Sequence, residues 1–151
     1  MIRKGGHHDL PFLRSMVNHA YNWRVNAFEA DVPLARYVDN WGRPGDTAVI
    51  AIDQGHPVGA AWYRLFSANA PGYGFVDEQT LELSIAVVPS RRKHGVGHEL
   101  IDGLLARARE DGHAALSLSV EKGSPAVSFY ERLGFERVSE SEHALTMRAD
   151  L

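Results

Sequence analysis

The sequence contains no cysteine, which excludes disulfides, thiolate metal ligands and a cysteine nucleophile. It also lacks a strong excess of either charge. Sixteen Lys and Arg against 19 Asp and Glu leave a formal net charge of -3, so the whole molecule offers none of the cationic field that non-specific nucleic-acid binding needs. No apolar run approaches the ~20 residues that cross a bilayer. The opening residues, Met1-Ile2-Arg3-Lys4-Gly5-Gly6-His7-His8-Asp9, hold no apolar stretch of signal-peptide type. Internal repeats, low-complexity tracts and linkers are absent as well. These absences together predict a cytoplasmic protein that binds neither membrane nor nucleic acid.

What is present suits one domain over 1–151. A chain of 151 residues buries about two-thirds of its unfolded surface, and 44% apolar with 23% charged residues is the balance of an ordinary globular protein. Asp9 is placed to cap a helix whose Leu10, Leu13, Val17 and Tyr21 share one face. A second helical stretch is expected over 26–41, interrupted by Pro33. The apolar runs 47–52 and 58–66, separated by Asp53-Gln54-Gly55-His56-Pro57, predict a hairpin. A loop over 67–73 then leads to a strand over 81–88.

From Gly95 the period becomes helical, with Val96, Leu100, Leu104 and Ala108 in one stripe and Gly112 ending it. A strand follows over 115–120. Ser124-Pro125 opens a further helix, which Gly134 closes with a left-handed cap. A closing strand pair over 136–139 and 143–148 completes a mixed sheet covered by helices.

The junction between the strand over 81–88 and the helix after it carries Arg91, Arg92, Lys93, His94, Gly95, Val96, Gly97 and His98. Backbone N–H groups at a helix start bind anions, glycines let the main chain approach closely, and neighbouring Arg and Lys add positive charge. Phosphate is the natural ligand. The ATP-type Gly-x-x-x-x-Gly-Lys-Ser/Thr string does not occur, and the third glycine of the dinucleotide fingerprint is replaced by Leu100. Taken alone, the loop reads rather as a tight turn beside a solvated basic surface.

A second segment changes that balance. Arg92-x-x-Gly95-x-Gly97, followed by Phe129-Tyr130-Glu131-Arg132-Leu133-Gly134-Phe135, resembles the paired motifs of the GNAT family of N-acetyltransferases. The resemblance is strong over 81–135, plausible for the hairpin and vague over the first forty residues. It implies an α+β fold, αβα in three layers, with a mixed, mostly antiparallel sheet of about six to seven strands and about four helices. It also implies acetyl-CoA as co-substrate, no metal, and an amine acceptor on a small molecule or polypeptide. A monomer or homodimer is expected.

By the same resemblance, Ile85, Ala86 and Val87 would contact the pantetheine arm through their backbone. Arg92, Lys93, His94, Gly95, Val96, Gly97 and His98 would wrap the pyrophosphate. Ser124 stands where the family often has asparagine. Tyr130 occupies the usual position of the acid for the leaving thiolate; a thiol near pKa 8.5 and a tyrosine near 10 differ by roughly 2 kcal/mol. A core aromatic is the other reading of Tyr130, beside Val127 and Leu133. Glu82, an isolated carboxylate between Leu81 and Leu83, is the candidate base, through a water. An exposed surface glutamate is its alternative. Ser119 sits where certain members that acetylate protein termini have glutamate.

Trp23, Trp41, Trp62 and Tyr73 are candidates to line an acceptor pocket or to fill the core. Asp77 and Glu78 would attract a cationic amine or keep a loop soluble. His7, His8 and Asp9 have no matching metal-ligand set. No Gly-x-Ser-x-Gly elbow occurs, so acetyl transfer would proceed by direct attack. A non-catalytic acyl-CoA-binding or sensing module is the second expectation, and nucleic-acid binding through Arg91, Arg92 and Lys93 a distant third.

Overall fold

The computed structural model describes residues 1–26, 32–92 and 94–151. Lys93 and residues 27–31 therefore lie outside the described residues. Runs rich in Val, Ile, Ala and Leu, punctuated by glycine turns, form seven strands. They are β1 (Ile2–Lys4), β2 (Thr47–Asp53), β3 (His56–Arg64), β4 (Leu81–Val87), β5 (Ala115–Glu121), β6 (Glu136–Glu140) and β7 (Ala144–Asp150), in the spatial order β1-β2-β3-β4-β5-β7-β6. The β2–β3 hairpin turns at Gln54 and Gly55, with φ of 50° and 78°, the left-handed pair that matches strand twist.

Neighbouring strands are antiparallel except β4 and β5, which run parallel. Helix α1 (Leu10–Tyr21) covers one face, and α2 (Val96–Glu110) with α3 (Ala126–Arg132) the other. The result is the expected three-layer α+β architecture. On the α1 side, Leu13, Val17 and Tyr21 pack on Ile50, Trp62 and Ala86. On the opposite side, Leu100, Ile101 and Leu104 pack on Leu81, Leu83 and Leu118. Alternation along β4 thus sends Leu81 and Leu83 to one core and Ala86 to the other, as a period of two requires.

Three local expectations change. The described residues hold three α-helices rather than about four. Residues 22–26 and Leu34–Tyr37 are short 3-10 turns, the second entered from Pro33, whose missing N–H and fixed φ favour a turn start over a helix interior. Asp9 does not cap α1 with its side chain. It accepts two bonds from the Arg3 guanidinium, at 2.7 and 2.9 Å, and one from the Gly6 N–H at 2.8 Å. A bidentate pair with a guanidinium outweighs a cap to neutral N–H groups, and Pro11 has already removed one donor from the helix start.

Candidate active site

β4 and β5 form ladder pairs only at Leu81 with Leu116 and Glu82 with Ser117 among the described residues. Beyond that point they part, so the β4 edge facing β5 continues without ladder partners while β3 holds its other edge as far as Val87. The gap is a cavity of about 140 Å³ between Ser84 and Ile85 on one strand and Ser119 on the other. The end of α1 contributes Tyr21, the 3-10 turn after it Trp23, and α3 contributes Tyr130.

Tyr130 is brought to the wedge by a helix that Ser124 starts and Gly134 stops. The Ser124 hydroxyl accepts from the Ala126 N–H at 3.2 Å. Gly134 takes φ of 100°, and the Phe135 N–H returns to the Tyr130 carbonyl at 3.0 Å. The Tyr130 ring is buried against Phe129 and Phe135, and this burial pushes its hydroxyl up to about 12. Ser124 also lines the wedge, half-buried.

Glu82 is 1% exposed, which excludes the surface-glutamate reading. Its Oε2 accepts a hydrogen bond from the Tyr37 hydroxyl. Burial raises its carboxyl to about 7, although the Tyr37 hydroxyl, the Gly74 N–H and the charge of Arg24 pull it down. That value is where a general base works best near neutral pH. Glu82 is not among the residues that line the wedge; Ser84, its neighbour two positions along the same face, is.

The loop after β4 presents backbone donors of the kind that hold an anion. A 3-10 turn, Pro89–Arg91, leads to Gly95 with φ of 82°, a conformation that strains any L side chain. α2 starts at Val96, so the N–H groups of Val96, Gly97 and His98 form its first turn and lack intrahelical acceptors. Gly97 stands 4.0 Å, measured from an ideal Cβ, from the Ile85 Cδ1. The first turn of the helix therefore sits beside the outgoing half of β4. Arg92 is exposed and anchored by its Nε to the Val87 carbonyl at 3.1 Å, whereas Arg91 is paired with Asp53 at 2.8 Å. The His98 ring packs, tilted, against Phe129 with ring centres 4.2 Å apart, which ties the start of α2 to α3. His94 is exposed and lies with Arg91 and Asp53 along a separate cavity of about 440 Å³.

The wedge brings together Ile85, Ser124 and Tyr130. Ala86 is buried in the α1-side core and Val87 packs on the opposite core, while the described residues 92 and 94–98 form the loop and the start of α2, with His94 and Val96 along the separate cavity. Several other candidates separate. Trp62 is core, and Trp41 packs against Arg64, its ring centre 5.4 Å from the guanidinium carbon. Asp77 and Glu78 accept backbone bonds from Gln79 and Ala68 within their own loop. Among the described residues no three His, Asp or Glu side chains gather as a metal site.

Sequence reasoning missed Tyr21, Tyr37, Ser84 and Arg24. The Tyr21 and Ser84 hydroxyls lie 2.6 Å apart. Arg24 donates to the Ser119 hydroxyl at 2.7 Å and lies 4.0 Å over the Tyr73 ring. One signal for Ser84 was legible: Glu82 and Ser84 put two polar groups on the same face of an otherwise apolar strand.

Comparison with known proteins agrees with this geometry. Residues 14–135 match the family described as the acetyltransferase (GNAT) family. An L-methionine sulfoximine/L-methionine sulfone acetyltransferase of Pseudomonas aeruginosa is 33% identical over 140 residues, covering 89% of this chain and 79% of that protein. The ribosomal-protein-alanine N-acetyltransferase of Brucella melitensis superposes with a TM-score of 0.73 at 28% identity, over 100% of this chain and 99% of its own. The YncA protein of Salmonella typhimurium, solved with its cofactor acetyl-CoA, shares the fold with a TM-score of 0.72 at 19% identity, over 100% and 93% of the two chains. No described helix is long and apolar enough to cross a membrane. The chain belongs to the GNAT acetyltransferase family and is an N-acetyltransferase that takes its acetyl group from acetyl-CoA.

Proposed function

We propose that the acceptor is the primary amine of a small amino-acid-like molecule, that Glu82 is the base for its attack, and that Tyr130 protonates the leaving thiolate. The observation that carries this reading is the parted β4–β5 pair, which opens one small cavity between an unladdered strand edge, the Tyr130 hydroxyl and the face of β4 that bears Ser84 and Glu82. The unpaired edge over 83–87 suits the amides of a pantetheine arm, and the first turn of α2, with Arg92 and Lys93, suits a pyrophosphate. We assign the whole chain to one catalytic domain on the same grounds.

Direct attack requires a neutral amine, donors for the developing oxyanion and a proton for sulfur. Glu82, at about 7, is substantially ionised near neutral pH and is neutralised as it accepts the amine's proton. Tyr130, at about 12, is a weaker acid than a free tyrosine. Protonating an ordinary thiolate of pKa near 8.5 from it would be uphill by about 5 kcal/mol. Burial of the thiol beside Tyr130 would raise it as well, which narrows the gap.

Two observations favour a small acceptor over a polypeptide terminus. The relative at 33% identity is named for two L-methionine derivatives. Ser119, at the position where certain members that acetylate protein termini have glutamate, is instead bound to Arg24.

The test is thiol release from acetyl-CoA with L-methionine sulfone, with its carboxamide, and with a short alanine-terminated peptide. The expected order of kcat/KM places the free amino acid first. A clear preference for the peptide would overturn the acceptor class while leaving the acetyltransferase intact. Glu82→Gln and Tyr130→Phe are each expected to lower kcat by about a hundredfold or more with the acetyl-CoA Kd unchanged, and full turnover in either would remove that residue from its role.

A further inference from the structure

We propose that Tyr37 and Tyr21, with Ser84, form a buried hydroxyl relay that carries the acceptor's proton from the wedge to Glu82. The inference rests on Glu82 as the base and explains how a carboxylate outside the cavity wall serves an amine inside it.

Three contacts define the path. Tyr37 donates to Glu82 Oε2. The rings of Tyr37 and Tyr21 pack against each other, tilted, with centres 4.6 Å apart. Tyr21 then shares a 2.6 Å bond with Ser84 Oγ, and both residues line the wedge beside Tyr130. Burial raises the ionisation of both tyrosines far above its usual range, so each passes a proton on without resting as a phenolate.

The relay is held on every side. The Tyr73 N–H donates to the Tyr37 hydroxyl at 2.7 Å. The rings of Phe66 and Tyr73 flank Tyr37 at 5.1 and 6.4 Å. The charged or titratable groups facing Glu82 are Tyr37 from its 3-10 turn, Tyr21 from α1 and Arg24 from the turn after α1.

The proton balance is simple. The acceptor ammonium gives one proton to the Ser84–Tyr21 pair, Tyr21 gives its own to Tyr37, and Tyr37 gives its own to Glu82 Oε2. Each hydroxyl ends with one proton, the nitrogen is neutral and the carboxylate is neutralised. The same path run backwards returns the proton to solvent between turnovers.

The experiment is the pH dependence of kcat/KM for the wild type, Tyr37→Phe, Tyr21→Phe, their double variant and Glu82→Gln, with melting midpoints and acetyl-CoA affinity as folding controls. Tyr37→Phe should lower the rate at least tenfold and move the acidic limb to higher pH, because the lost donor had favoured the ionised carboxylate. Tyr21→Phe should lower the rate at least tenfold with the limb in place. The double variant should be no slower than the slower single one. A multi-proton solvent isotope inventory in the wild type should become single-proton in Tyr21→Phe, a change that altered packing alone does not produce. Tyr21→Phe at full rate, with the limb abolished in Glu82→Gln, would overturn the relay alone and point to direct access past Gly72. An acidic limb that survives in Glu82→Gln would overturn base and relay together.

Discussion

Gly72 stands against Tyr37 and Glu82 so closely that a Cβ built on it would lie 2.8 Å from the Tyr37 hydroxyl oxygen and 2.9 Å from Glu82 Cδ. Its φ is not left-handed, so the requirement for glycine is one of space. Gly72→Ala must displace the carboxyl, the phenol or the loop. The expected outcome is a drop in kcat of at least tenfold, with the acetyl-CoA KM retained because the 95–98 turn is remote from this contact. Overpacking of this kind costs about 1–3 kcal/mol of stability. Steady-state kinetics beside a urea titration would separate the two effects, and unchanged kcat would show that the loop yields freely.

The strand and helix order was legible because each element carries its own period, and glycines at 55, 112 and 134 mark turns that take positive φ. The loop proposed for the coenzyme could be named from sequence because anion binding uses local backbone, so a short contiguous string contains the whole device. The surroundings of Glu82 could not. Tyr37 and Glu82 are 45 positions apart and Tyr21 and Ser84 are 63 apart, so only the fold brings them together. The period of α1 identified Tyr21 as a buried face residue, but periodicity carries no information about what a buried hydroxyl will meet. Asp9 shows the opposite limit: a good cap by sequence, it was captured by Arg3 on a neighbouring strand.

The raised carboxyl of Glu82 predicts a specific pH dependence of stability. Its folded value of about 7 lies above the ordinary 4.5, so between these values the native state binds more protons than the unfolded chain. Stability from this group is greatest below about pH 4.5 and is lost as pH rises through 7. The loss amounts to roughly 3 kcal/mol. Glu82→Gln removes it. Relative to wild type, the variant should gain stability progressively from pH 4.5 to 8, read as urea midpoints at each pH. A constant offset across that range would contradict the ionised, buried state on which the base role depends.

Asp46 and Arg64 form an ion pair at 2.7 Å with both side chains 1% exposed. Arg64 also donates to the Arg36 carbonyl at 3.0 Å, inside the turn that carries Tyr37. Removing one partner leaves a buried charge uncompensated, so Asp46→Ala should cost about 3–5 kcal/mol. Adding Arg64→Met should restore part of that loss. Denaturant midpoints of the three variants check both statements. Equal loss in the single and double variants would show that the pair acts through packing rather than charge.

Gly97 and Gly95 separate what the fold needs from what the coenzyme needs. Gly95 has φ of 82° with nothing within 4 Å of an added Cβ, so Gly95→Ala carries backbone strain of about 1–2 kcal/mol. Gly97 is helical, and an added Cβ meets Ile85 Cδ1 at 4.0 Å, an ordinary contact. The isolated protein therefore has no use for glycine at 97, and alanine there favours the helix by up to about 1 kcal/mol. If the first turn of α2 receives the pyrophosphate, a methyl group at 97 keeps the phosphate oxygens from the N–H groups. Gly97→Ala should then melt at or above the wild-type midpoint while its acetyl-CoA KM rises about tenfold, equivalent to ~1.4 kcal/mol of binding. Calorimetric titration with coenzyme A checks this directly. An unchanged Kd in a fully folded Gly97→Ala would move the pyrophosphate away from this turn.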